Sequence, residues 1–463
     1  VRRAGFVSRD FGVYEIRARE DAETFTLGPG QVLDKIDIRL VPAGVISGTI
    51  SDEDNQPIAA VLVEAVRLRY ARGGRRLESS QIRVWTDDLG NFRLYGLPRG
   101  NYFVRAEVEN VSAQAGRIVS RLAYYPGTTD VENAQPLKVT PGDEISGIHL
   151  SIAPLLVYSI TGNIVDVTGL GGPGRYHVSA MNATDVANNG GRVTIATSGL
   201  DGSFTLRGMP SGVYAIGAWL MEADSDKPSK RDVSGHATVR VTDSDVRANI
   251  QANPEVEVSG RVLVDSSSHQ SALGISIALW PQNNLNGDYD RNPLKSVSDQ
   301  HGNFRIRYIS SGNYDFAMLP IPGVYLRQAV CSGSDHTLIP LNIEGGAIVN
   351  DCVLTLGTDA GTVKGLVLDG DKPVPSRVVV AIPEEVAKRR LERFTFTAST
   401  NANGEYQLSG VIPGDYLLFA LPPDDDHLYF AGDFADHNQR DAERVSVKSG
   451  DTKIVMLKPA TSQ

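Results

Sequence analysis

The chain has 463 residues, with 45 Lys and Arg against 55 Asp and Glu, and a formal net charge of −10. Its 46 Gly, 24 Pro and 41% hydrophobic content describe a globular, turn-rich chain long enough for about three to four domains. The acidic balance, with one local basic cluster at residues 67–76, disfavours a nucleic-acid partner. No apolar run reaches the roughly 20 residues that span a bilayer, so membrane insertion by this chain is not expected.

In chain order, residues 1–41 read as the C-terminal half of a β-sandwich. Gly12-Val13-Tyr14-Glu15-Ile16 has the pattern of a strand that returns further on, and Ile36 to Leu40 follows a Gly28-Pro29-Gly30 turn as a closing strand. Three strands do not close a two-sheet core. The half repeat is therefore expected to be completed by upstream sequence, by a rearranged Phe6-Val7-Ser8, or by another molecule. The apolar residues Tyr14, Ile16, Ile36 and Ile38 are its assembly candidates.

Four repeats follow, over 42–153, 154–253, 254–357 and 358–463. Each opens on a strand with a central glycine (Gly48, Gly162, Gly260, Gly365) and continues into a second apolar strand. A Gly-x-aromatic strand, a turn and a Gly-x-Tyr strand come next. The sets are Gly90/Phe92/Gly100/Tyr102, Gly202/Phe204/Gly212/Tyr214, Gly302/Phe304/Gly312/Tyr314 and Gly404/Tyr406/Gly414/Tyr416, at steps of 112, 100 and 102 residues. Phe92 and Leu94 alternate with Asn91 and Arg93, the period of a half-buried strand, and Leu97-Pro98-Arg99-Gly100 breaks it with turn residues. Shared offsets imply shared roles. Phe92, Phe204, Phe304 and Tyr406 are expected in the core, as are the rings of Tyr102, Tyr214, Tyr314 and Tyr416, with their hydroxyls bonded near the turn. A variable loop follows, long in the first and fourth repeats, and two strands close each unit. Only Glu384 to Glu392 has a helical pattern. The fold class is all-β, a tandem array of Ig-like or transthyretin-like Greek-key β-sandwiches, read here as antiparallel. Connections of two to six residues favour a semi-rigid rod.

Chemistry-bearing residues are sparse. Cys331 and Cys352, 21 residues apart on strands of the third repeat, are expected on neighbouring strands and bonded, which points to an oxidising compartment; the alternative is two buried thiols. The eight histidines have no metal-ligand spacing, and no nucleophile elbow or phosphate loop occurs, so neither enzymatic activity nor a cofactor or metal is expected. Asp52-Glu53-Asp54-Asn55 and Asp424-Asp425-Asp426 read as solvated turns rather than calcium loops. Trp85, Trp219, Trp280 and Tyr124-Tyr125 either pack the sandwich or stack on sugar rings. Asn110-Val111-Ser112 and Asn182-Ala183-Thr184 are glycosylation sequons.

The run Thr/Ser, Gly-x-Phe-x-Leu-x-Gly-Leu-Pro-x-Gly-x-Tyr, close in the first repeat and lacking Leu-Pro at Tyr308 to Gly312 in the third, resembles the carboxypeptidase regulatory-like domains. These are transthyretin-like (prealbumin-like) sandwiches of bacterial secreted and surface proteins, and the resemblance runs over residues 42–463. It implies an extracellular or cell-surface location and a structural role as a surface stalk, an adhesin or a filament subunit. The partner is then another copy, head to tail, or a cell-surface protein. A carbohydrate-binding array with a polysaccharide partner, or accessory domains of a larger secreted enzyme or receptor, are the alternatives. The B-type stalk domains of adhesins are similar in fold and use a first-strand lysine for an isopeptide bond. Only Lys364 matches, against Ser47, Thr161 and Ser259, so such a bond is not expected as a general device.

Overall fold

The computed structural model describes residues 3–7, 28–32, 40–71, 74–114, 117–153, 155–167, 175–182, 193–221, 233–254, 256–265, 272–282, 294–344, 347–422 and 427–460. The chain divides into two compact units, one of Val1–Tyr70, Arg76–Leu156 and Pro423–Leu428, the other of the remaining residues. The first holds the sheets of the first repeat, the second those of the other three.

Every repeat is built on the same three-stranded ladder. In the first, the opening strand Gly44–Ser51 lies between Asn91–Leu97, antiparallel to it, and Glu144–Ser151, parallel to it. In the second, Tyr158–Asp166 lies between Ser203–Met209 and Ile250–Pro254. Val256–Val264 lies between Asn303–Ile309 and Ile348–Gly357, and Gly361–Asp369 between Glu405–Val411 and Thr452–Leu457. A second sheet pairs the second apolar strand with the Tyr strand. The pairs are Leu62–Ala71 with Gly100–Gln114, Tyr176–Asn182 with Gly212–Leu220, Ser276–Pro281 with Gly312–Met318, and Val378–Pro383 with Gly414–Leu421. The all-β sandwich array is thus the fold.

One expectation is corrected. The repeats are not antiparallel throughout, because the first and last strands of each run side by side in the same direction. A parallel pair needs a long crossover, and here the rest of the repeat supplies it. Alternation along each strand then fills one core per repeat. In the first repeat Ile46, Ile50, Phe92, Leu94, Tyr102, Val104 and Leu150 are all buried between the two sheets.

The element after the Tyr strand varies most. In the first repeat the expected loop is largely strand, Arg117–Tyr124 paired with Gly100–Gln114. In the second, Val233–Val241 pairs with both the Tyr strand and Ile250–Pro254, joining the two sheets along one edge. In the third, Tyr325–Cys331 joins the first sheet and Leu341–Ile343 the second. In the fourth, one-turn helices stand where a loop was expected, at Leu428–Phe430, Phe434–His437 and Gln439–Asp441. The helical pattern at Glu384 to Glu392 resolves into a single α-turn, Val386–Arg389, and a 3-10 turn, Glu392–Phe394. Tyr429 and Ala435 cover the outer face of Val378–Pro383, so Val378, Val380 and Ile382 are buried on that side while Val379 and Ala381 face the core. A strand buried on both faces carries no alternation.

Near the start, Phe6 bridges Pro42, and the Val7 N–H donates to the Val41 carbonyl at 2.9 Å. The assembly candidates Tyr14, Ile16, Ile36 and Ile38 lie outside the described residues.

Candidate functional site

The repeated residues meet at one place in each repeat. Gly48, Gly162, Gly260 and Gly365 stand directly across the ladder from Phe92, Phe204, Phe304 and Tyr406. A Cβ on these glycines would lie 1.8, 1.7, 2.0 and 1.8 Å from the carbonyl oxygens of Ile148, Ala248, Cys352 and Val455. The glycine therefore admits the closing strand's backbone, and the aromatic ring covers the space its missing side chain leaves. These rings are 4, 4, 3 and 4% exposed. In the fourth repeat a tyrosine replaces phenylalanine, and its hydroxyl donates to the Val455 carbonyl at 2.9 Å, the oxygen that Gly365 leaves uncovered.

The second aromatic is a tyrosine for a different reason. Tyr102, Tyr214, Tyr314 and Tyr416 donate to the carbonyls of Pro98, Pro210, Ser310 and Ile412, each four residues back, at 2.9, 2.9, 2.8 and 2.7 Å. Each bond spans the turn that leads into the strand, as in the tyrosine corner of immunoglobulin-type sandwiches. The acceptor is main chain, which explains why the third repeat does without Leu-Pro. Burial, with Tyr325 nearby, pushes the Tyr416 phenol well above its ordinary range. Tyr416→Phe leaves the Ile412 carbonyl without this donor and is expected to cost about 1 kcal/mol in a urea melt.

Two further repeated positions went without a role in the sequence reading. A buried hydroxyl stands six residues before each aromatic, at Thr86, Ser198, Ser298 and Thr400. Each accepts a main-chain N–H from the start of the second strand, those of Val61, Tyr176, Ile275 and Arg377, at 3.0, 2.8, 2.9 and 2.9 Å. In three of the repeats the next residue caps the turn, the second having Gly199 at that position. Asp87 accepts the N–H groups of Leu89 and Asn91, Asp299 those of His301 and Asn303, and Asn401 those of Asn403 and Glu405. The side-chain amides of Asn91 and Asn303, with these main-chain donors, hold the Asp87 and Asp299 carboxyls below the usual range. The glycine closing each turn, Gly90, Gly202, Gly302 or Gly404, has φ between +72° and +80°, where a side chain is strained.

Cys331 and Cys352 face each other across neighbouring strands of the third repeat, 1% exposed each, with their sulfurs joined and Cα atoms 4.1 Å apart. The fourth repeat also grips the third. Arg390 reaches Asp315 at 2.9 and 3.0 Å and also donates to the Leu338 carbonyl, while Arg393 donates to the carbonyls of Phe316, at 3.0 Å, and Thr337. Tyr325, Leu391, Phe394 and Ile412 form an apolar cluster beside them. Arg389 secures the α-turn that presents these arginines, through the carbonyls of Pro383 and Glu384 and the Asp436 carboxylate.

Asp359, in the connection between these two repeats, accepts from Tyr325 at 2.8 Å and from Arg327, which also pairs with Asp265 at 2.7 Å. Partial burial pushes its carboxyl up, but hydrogen bonds from Ser449, Tyr325 and Arg327 outweigh this and hold it at about 2. A depressed carboxyl stabilises the fold above its unfolded value of about 3.9 and loses that contribution as pH falls through the folded value. Acid titration of the melting temperature is expected to fall across this window, and Asp359→Asn to flatten the fall.

The other sequence candidates are dispersed. Trp85 is 53% exposed, Tyr124 is 4% exposed and packs with Val66, Leu77 and Phe103, and Trp219 is half-buried between His177 and His236. Tyr125 and Trp280 are also half-buried. Asp52 spends an oxygen on the N–H groups of Asp54 and Gln56, closing its own turn. Asp424-Asp425-Asp426 lies outside the described residues. Among the described residues no helix is long and apolar enough to cross a membrane.

No family profile and no curated protein matches the chain. Among solved structures, the chain is similar to the TIE protein of Bacillus anthracis, at 12% identity over 89% of this chain and 72% of that one, with a TM-score of 0.18. A streptococcal ancillary pilin matches at 11% identity over 65% of this chain and 99% of that one, with a TM-score of 0.22. BcpA, the major pilin subunit of Bacillus cereus, matches at 13% over 68% and 99%, with a TM-score of 0.16. Scores this low carry no argument about function.

Proposed function

We propose that the chain is a non-enzymatic, extracellular structural protein: a surface stalk or the repeating subunit of a filament, divided into sandwich repeats at 42–153, 154–253, 254–357 and 358–463 after a partial one at 1–41. The transthyretin-like, carboxypeptidase regulatory-like reading of these repeats belongs to the same proposal and rests on their motif. The observation that carries it is the junction of the third and fourth repeats. Arg390 and Arg393 are committed to Asp315 and to main-chain carbonyls of the neighbouring repeat, beside an apolar cluster and the Asp359 network. A chain whose role is to hold its repeats in a fixed relation has use for such contacts. The disulfide of the third repeat fits an oxidising, extracellular setting.

Head-to-tail self-association is part of this proposal, with Tyr14, Ile16, Ile36 and Ile38 of residues 1–41 as the candidate contact residues. Negative-stain imaging and light scattering of the full chain test this. Filaments or higher-mass species that disappear on deleting residues 1–41 are the expected result. A monodisperse monomer, or a polymer that survives the deletion, would overturn the assembly reading and leave the stalk.

A further inference from the structure

We infer that the first repeat carries a binding groove for a neutral oligosaccharide, with Trp85 as its stacking platform. The groove, about 640 Å³, lies along the outer side of the opening strand, at Ser47 and Thr49. Ser47, Thr49, Asn91 and Arg93 line it together with Trp85, the last residue of Gly74–Trp85. A half-exposed indole beside hydroxyl, amide and guanidinium groups matches what a pyranose presents: a flat C–H face and a rim of hydroxyls. Concave sites of this kind bind through an apolar surface and a few placed polar groups. On the groove Arg93 is paired with Glu144 at 2.8 Å, while the Asp87 carboxylate, bonded by the neutral Asn91 amide at 3.0 Å, keeps its negative charge. A neutral ligand fits this better than an acidic one. Tyr124, offered by the sequence as a second platform, is buried away from solvent, so the site is single rather than an aromatic array.

The third repeat supplies an internal control. The same groove recurs there at about 820 Å³, with Ser259, Asn303 and Arg305 in the places of Ser47, Asn91 and Arg93. Val297 stands where the first repeat has Trp85. The polar rim is repeated without the platform, so this groove is not expected to bind.

The test uses the full chain labelled with fluorotryptophan, its three resonances assigned with single Trp→Phe variants. Cellohexaose and maltohexaose are the probes, with oligoproline as the competing class of ligand that stacks on exposed tryptophan. The expected result is that one of the two sugars moves the Trp85 resonance and leaves Trp219 and Trp280 in place. Trp85→Ala, at a solvent-exposed position, should keep the melting temperature and weaken binding by at least about tenfold. Val297→Trp should add a second site in the third repeat. A sugar response at Trp219 or Trp280, a Trp85 response to oligoproline alone, or no response of Trp85 to either sugar at millimolar concentration would each overturn the inference.

Discussion

Replacing Gly48 with alanine is expected to lower the melting temperature of the first repeat by at least about 10 °C, corresponding to roughly 3 kcal/mol or more. The added methyl would lie 1.8 Å from the Ile148 carbonyl oxygen, and the Ile148 backbone carbon is only 2.6 Å away. A crowded side chain can change rotamer, but a main-chain carbonyl in a sheet cannot. The parallel pairing of Gly44–Ser51 with Glu144–Ser151 must open, and the hydrogen bonds on both sides of Gly48 go with it. Differential scanning calorimetry of the full chain should show one transition displaced and the others unchanged. Gly432→Ala is the control, since nothing lies within 4 Å of its added Cβ, and it should leave the profile as it was. An unshifted first-repeat transition in the Gly48 variant would mean that the closing strand can stand further off than the register shows.

Phe92→Ala is expected to cost about 3 to 5 kcal/mol, read as a lower urea midpoint with an unchanged slope. The cost should fall toward the upper end because the ring lies across from a glycine, and Gly48 has no side chain to move into the hole. Tyr406→Phe in the fourth repeat is the natural comparison. It keeps the ring and removes only the bond to the Val455 carbonyl, so about 1 kcal/mol is expected. A loss below that figure for Phe92→Ala would show that the surrounding side chains collapse onto the vacated site.

The period of glycine, aromatic and tyrosine was legible because each of the three is chosen for a separate physical reason. One admits a backbone, one covers it, and one bonds the turn it follows. The hydroxyls at Thr86 and its counterparts, and the capping residues that follow them in three repeats, were visible at constant offset but had no reading until their main-chain donors were placed. Strand direction was not legible, because alternation has the same period in parallel and antiparallel ladders. The strand Arg117–Tyr124 was missed because its apolar residues come in adjacent groups, Ile118-Val119 and Leu122-Ala123, rather than alternating with polar ones. Val378–Pro383 read only as an apolar strand, with no sign of the helical turns that cover its outer face. Arg390 and Arg393 gave no signal at all. Their partners Asp315 and Phe316 lie more than a repeat-half away in sequence, and surface arginines are common everywhere.

The parallel pairing of first and last strands decides how each repeat answers tension. The chain enters at the start of the opening strand and leaves at the end of the closing strand, and because the two run the same way these points lie at opposite ends of the pair. A pull on the termini drags the strands past each other lengthwise. Every hydrogen bond of the ladder is then loaded at once in shear, whereas an antiparallel pair held at one end would unzip bond by bond.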